Sequence, residues 1–214
     1  MYKRQTALYE KTLRRLIPFY EKELEKTIGD CNTILDLGCG VISPIRHFSS
    51  RLYAVGVDCF LPAIKISKMN GIHSDYIYTD ILNALDSFLP ESFDCVIALD
   101  LIEHLKKEEG YRLIKLMNKV AKKMIIIFTP NGYVSQDALD NNPWQIHRSG
   151  WTISEFNKIG FTVIGISGIR FLYEGRAFKY KPTWFWAILS DITQIIVKNH
   201  PEYAFQLLCY KEKH

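Results

Sequence analysis

Asp36-Leu37-Gly38-Cys39-Gly40 closes a short apolar run and leads into Ser43-Pro44. A glycine pair at such a strand-to-helix turn lets a ligand approach bare backbone, and the helix start beyond it offers unpaired N–H groups. Nucleotide-binding doubly wound folds share that device. Asp36 narrows it, because a carboxylate two residues ahead of the glycines would repel a pyrophosphate and favour a cationic amino group. Asp58 ends the next apolar run, about twenty residues past the glycines, where a carboxylate can accept both hydroxyls of a ribose. Asp80-Ile81 ends a third run. A carboxylate there can accept from the amino group of adenine while the following N–H donates to the ring, or it can cap the next helix.

A second set of polar residues falls later. His104 stands in DLIEHL, and the long stretch PNGYVSQDALDNNPWQIHRSGW gathers Tyr133, Asn142, Trp144, Gln145, His147 and Arg148. An apolar plate with amides, an imidazole and a guanidinium suits a polar organic molecule held in one orientation. Tyr133, Trp144 and Arg148 are candidate contacts to such a molecule. His147 is the candidate base, because a histidine titrates near neutral pH. His104 is the second candidate, read first as a structural histidine pairing with a neighbouring loop.

These residues need strands to end where they stand. The runs TILDL, LYAVGVD, DYIYTD, FDCVIALD, KMIIIFT, FTVIGIS and AFQLLCY alternate with helical stretches. Most are apolar on both faces, as central strands covered by helices on two sides are. The pattern predicts an α/β, Rossmann-like doubly wound sheet. Helix starts are expected at Ser43-Pro44, at Leu61-Pro62 and at Thr152, which forms a capping box with Glu155; Gly160 supplies a stop. Before Gly29, Leu13, Leu16, Ile17, Tyr20 and Leu24 recur at helical spacing, with Pro18 dividing that segment in two. Residues 183–198 predict a helix with apolar residues at 185, 188, 189, 192, 195 and 196, flanked by Lys179, Lys181 and Lys198. Packing on the sheet is the simpler reading of that stripe; contact with a membrane surface or a second copy of the chain is the other.

The chain of 214 residues suits one domain, 1–214, with 1–29 as an N-terminal helical segment and 130–150 and 168–182 as long candidate acceptor-site loops. A hydrophobic share of 48% and a charged share of 23% are ordinary for a globular protein. The net charge of +4 comes with no basic run, so no nucleic-acid partner is expected. Five scattered cysteines without metal-type spacing read as free thiols in a reducing compartment, which points to the cytoplasm and to no bound metal.

Taken in order, TILDLGCG, YAVGVD, YIYTDI and FDCVIALDLIEHL resemble the successive motifs of class I S-adenosylmethionine (SAM)-dependent methyltransferases. They resemble in particular the small-molecule enzymes related to the quinone-biosynthesis methyltransferases. The resemblance implies a seven-stranded sheet whose last strand, AFQLLCY, is antiparallel, with SAM lying across the carboxyl ends of the first four strands. By motif position it implies that Asp36, Gly38, Cys39 and Gly40 meet the methionine end and that Asp58 holds the ribose. Cys59 and Phe60 would flank the adenine, Asp80 and Ile81 would read its edge, and Leu99 and Asp100 would line the methyl side. Ile42 departs from the pattern, which often has a third glycine there. The expected activity is methyl transfer to a small or lipid-like organic acceptor, first at oxygen with carbon and nitrogen left open, leaving S-adenosylhomocysteine. An NAD-dependent oxidoreductase and a non-catalytic SAM-binding partner or sensor are the rival readings.

Overall fold

The computed structural model describes residues 18–138 and 142–213. The stripe of Leu13, Leu16 and Ile17 lies outside them. The described chain begins with α1 (Phe19–Ile28), with Pro18 at its N-cap. Then follow β1 (Thr33–Leu37), β2 (Tyr53–Asp58), α2 (Leu61–Met69), β3 (Asp75–Tyr78), α3 (Ile81–Ser87) and β4 (Phe93–Leu99). The second half holds α4 (Lys107–Val120), β5 (Ala121–Pro130), α5 (Ile153–Lys158), β6 (Thr162–Ile169), the hairpin β7 (Tyr173–Glu174) and β8 (Ala177–Phe178), α6 (Thr183–Val197) and β9 (Ala204–Glu212).

Seven strands form one sheet in the order β3-β2-β1-β4-β5-β9-β6. Strands β1 to β5 run parallel, and β9 is antiparallel to both β5 and β6. Each expected apolar run is a strand of this sheet, and AFQLLCY is the antiparallel one. Successive strand residues feed opposite faces, as a pleat of period two requires. Leu35 and Leu37 of β1, Val96 and Ala98 of β4, and Ile125 and Ile127 of β5 pack with Leu85, Leu113, Met117 and Phe156 from α3, α4 and α5. Ile34, Cys95, Ile97, Ile126 and Phe128 point the other way, toward Leu24 and Ile28 of α1 and the Ile45–Leu52 segment. The chain order reverses between β1 and β4, so the carboxyl ends of these strands open a crevice.

Two local expectations change. Ser43-Pro44 opens only a short 3-10 turn, Pro44–His47, and the Ser43 hydroxyl makes no capping bond. The apolar stripe of α6 does not face the sheet. Ala187, Ser190, Thr193, Gln194 and Val197 are its buried side. Gly165 and Gly168 of β6 explain why: a Cβ on Gly168 would lie 2.3 Å from Ser190 Oγ, and one on Gly165 would lie 2.0 Å from the Val197 carbonyl oxygen. The helix sits too close for large side chains, so small and polar residues turn inward. Phe185, Ile188, Ile192, Ile195 and Ile196 are left exposed. No helix among the described residues is long and apolar enough to cross a membrane.

Candidate active site

The turn after β1 is held by its neighbour strand. Gly38 and Cys39 N–H groups both donate to the Val57 carbonyl, at 2.8 and 3.1 Å. Gly38 and Gly40 have φ of 66° and 57°, left-handed values that glycine adopts without strain. Asp58, at the carboxyl end of β2, ties this turn to the next. Its Oδ2 accepts from Gly40 N–H at 2.9 Å and its Oδ1 from Phe60 N–H at 2.8 Å. Burial pushes the Asp58 carboxyl up from its ordinary range, and the two backbone donors hold it back.

Asp36 has a partner that spacing did not suggest. It is 1% exposed, and His73 Nε2 donates to its Oδ2 at 2.8 Å. Ser67 and Tyr76 complete the pocket around His73. An Asp in strand β1 and a His just ahead of β3 meet because β2 between them carries Gly56, whose missing side chain leaves room for the imidazole. At Asp80 both anticipated roles coexist. Oδ1 caps α3 by accepting from Leu82 and Asn83 N–H groups, and the residue also stands on the crevice wall.

These residues line one cavity of about 760 Å³, within the roughly 300–1,000 Å³ of small-molecule sites. Asp36, Gly38, Cys39, Gly40, Asp58, Cys59, Phe60, Asp80, Ile81, Leu99 and Asp100 are all on its wall. Ile42 is there too, half exposed where a third glycine would stand. Burial beside Asp58 raises the Cys59 thiol to about 11, so it stays protonated at neutral pH. One wall was not legible beforehand: Tyr20 of α1 stacks on Phe128 with ring centroids 4.0 Å apart and faces the cavity. Its helical spacing marked it only as an apolar position.

The cavity continues past Asp100, whose φ is 50° and whose Oδ1 accepts from Gln206 at 3.3 Å. Its far end is lined by His104, Trp144 and Gln145, with Arg176 from the β7–β8 hairpin and Gln194 from α6. Both long loops therefore reach the site. Tyr133 and Arg148 are exposed and do not line it. His147 is also off the wall: it is 4% exposed, and its Nδ1 donates to the Val134 carbonyl at 2.6 Å. His104 is on it, and its Nδ1 donates to the Ile146 carbonyl at 3.2 Å, the loop pairing expected of it.

The post-β5 loop is bound to the DLIEHL turn through backbone. Arg148 and Ser149 N–H groups donate to the Glu103 carbonyl at 2.7 and 3.0 Å. That tether sets the His104 and His147 rings 4.8 Å apart, with the Glu103 side chain beside them. Burial raises the Glu103 carboxyl to about 8 and lowers His104 to about 4. His147 is lowered by burial as well. At neutral pH both imidazoles are uncharged. Adjacent Glu103 and His104 meet His147 from the post-β5 loop as a group of metal-type donors that had no spacing signature.

Residues 35–128 match the family described as "Methyltransferase domain". That stretch holds the glycine turn, Asp58 and Asp80. No curated protein matches the chain. Among solved structures, the chain is similar to a SAM-dependent methyltransferase from Archaeoglobus fulgidus, at 18% identity and a TM-score of 0.62, over 98% of this chain and 99% of that one. It is similar to phosphoethanolamine N-methyltransferase 2 of Haemonchus contortus in complex with SAM, at 17% identity and a TM-score of 0.57, over 91% of this chain and 52% of that one. It is also similar to magnesium protoporphyrin IX methyltransferase from Synechocystis PCC 6803 with bound SAM, at 15% identity and a TM-score of 0.51, over 99% and 84%. At these identities the likeness carries the fold.

Proposed function

We propose that the methyltransferase domain transfers the methyl group of SAM to oxygen on a small or lipid-like organic acceptor. One observation carries this reading: the cavity does not stop at the donor residues. It runs on past Asp100 to His104, Trp144, Gln145, Arg176 and Gln194, leaving space beside the methyl position with a ring, amides and a guanidinium around it. Such a wall orients an organic molecule by a few polar contacts.

Methyl transfer is an in-line displacement at an already activated carbon, so holding the acceptor oxygen in line supplies most of the catalysis. A hydroxyl acceptor must also shed its proton. His104 is the histidine on the wall, neutral at pH 7, with Nδ1 donating to the Ile146 carbonyl. The loop position had favoured His147 for this task; burial of His147 behind the wall gives the direct contact to His104.

With methyl-labelled SAM and a panel of phenols, hydroxy acids and hydroxylated lipids, label should appear in an alkali-stable ether. His104→Ala should lower that rate by about two to three decades, while affinity for S-adenosylhomocysteine stays within about twofold. Label transferred only to amines, or a His104→Ala rate equal to the parent's, would end the oxygen reading.

A further inference from the structure

Glu103, His104 and His147 place one carboxylate oxygen and two imidazole nitrogens within 4.8 Å of one another. All three side chains are buried. Each ring is oriented from behind by a backbone carbonyl on Nδ1, Ile146 for His104 and Val134 for His147. With Nδ1 as the N–H, each neutral ring keeps its lone pair on Nε2. Thr129 Oγ1 orients Glu103 in the same way, donating to Oε2 at 3.0 Å.

What remains is unpartnered. Glu103 Oε1 and His147 Nε2 are buried and have no hydrogen-bond partner among the described residues. A buried polar atom left unsatisfied costs about 1–3 kcal/mol. Several acceptors gathered within 4.8 Å, with outer hydrogen bonds to each residue, is the arrangement that metal ligands take.

We propose that Glu103 Oε1, His104 Nε2 and His147 Nε2 hold a divalent transition-metal ion at the acceptor end of the cavity. Two imidazoles and a carboxylate suit zinc, manganese, cobalt, nickel or ferrous iron better than magnesium or calcium, which favour oxygen donors. Bonds of about 2.0–2.2 Å bring tetrahedral ligands to about 3.4 Å from one another, so the side chains close in on the ion by about 1 Å. Three protein ligands leave a coordination position open. His104 lines the cavity, so the ion would sit beside the acceptor space.

The chemistry assigned to the ion rests on the oxygen-methylation reading; the binding does not. Beside the cation an acceptor hydroxyl loses its proton to solvent more readily. Its freed oxygen pair then forms the C–O bond as the C–S bond breaks, and the electron pair of that bond returns to sulfur, which becomes a neutral thioether. His104 then acts as a ligand that readies the acceptor rather than as the group that takes its proton. A metal-binding result therefore decides which of these two roles it has.

The test is equilibrium dialysis of chelator-treated protein against Co(II), Zn(II) and Mn(II), with the visible absorption of Co(II) as the reporter of nitrogen and oxygen ligation. The parent should retain one ion per chain and show Co(II) bands that Zn(II) removes. Glu103→Gln keeps an acceptor for Thr129 and so should fold; it and His147→Ala should weaken binding by more than the roughly 10–100-fold that loss of an outer partner costs. SAM titration of the same samples reports the donor site separately. A parent that binds SAM but retains no ion, or variants that bind Co(II) as the parent does, would overturn the metal site and leave the methyltransferase reading standing.

Discussion

Gly38→Val is expected to give a folded protein that no longer binds SAM. Gly38 has φ of 66°, and a Cβ there would lie 2.8 Å from Leu101 Cδ1. A β-branched residue is a genuine outlier at that φ, and holding it there costs about 1–3 kcal/mol. That is within reach of a domain whose net stability is about 5–15 kcal/mol. The turn can relax only by giving up its bonds to the Val57 carbonyl, and either outcome fills the approach to the donor with side chain. Affinity measured by calorimetry should fall by more than about a hundredfold, a loss of over about 2.7 kcal/mol. A variant that SAM protects against thermal unfolding as well as it protects the parent would place the donor elsewhere.

Trp151→Ala should cost the most stability, about 3–5 kcal/mol. Trp151 is fully buried between Tyr111 and Phe156, with ring centroids at 5.1 and 5.6 Å, and Lys107 Nζ lies 3.8 Å over its ring. Its Nε1 donates to Ser149 Oγ at 3.0 Å. Gly110 on α4 makes room for it: a Cβ there would lie 2.3 Å from the indole. The ring is also the anchor of the post-β5 loop, whose start at Asn131 and Gly132 bridges back to Trp151. Denaturant unfolding should show the loss with an unchanged slope. A change under about 1 kcal/mol would mean that the loop is anchored by its tether to Glu103 alone.

The donor half of the site was legible because it is local. Gly38, Asp58, Asp80 and Asp100 each stand where an apolar run stops, and a parallel sheet brings the ends of adjacent strands together. That β9 is antiparallel was implied by the likeness to a known order of motifs and not by the strand pattern. What could not be read depends on contacts between distant segments. The Asp36–His73 pair forms across β2 through the space that Gly56 leaves. The three donors Glu103, His104 and His147 meet because the post-β5 loop hydrogen-bonds to the Glu103 carbonyl. The α6 stripe was read inward because periodicity gives the width of an apolar face and not its direction; Gly165 and Gly168 on β6 set that direction. Tyr20 carried an ordinary helical spacing, and only the packing of α1 on Phe128 turns it to the cavity.

SAM lying across Gly38, Gly40 and Asp58 is tested most directly by calorimetric titration of parent and Asp58→Ala with SAM. The Asp58 carboxylate would offer both oxygens to the ribose while steadying the Gly40 and Phe60 N–H groups that it already holds. Loss of such a charge-assisted pair costs about 2–3 kcal/mol. The parent should bind one SAM per chain and no NAD, and Asp58→Ala should bind SAM about 30- to 150-fold more weakly. Equal SAM affinity in the two proteins, or NAD bound in preference to SAM, would contradict the account.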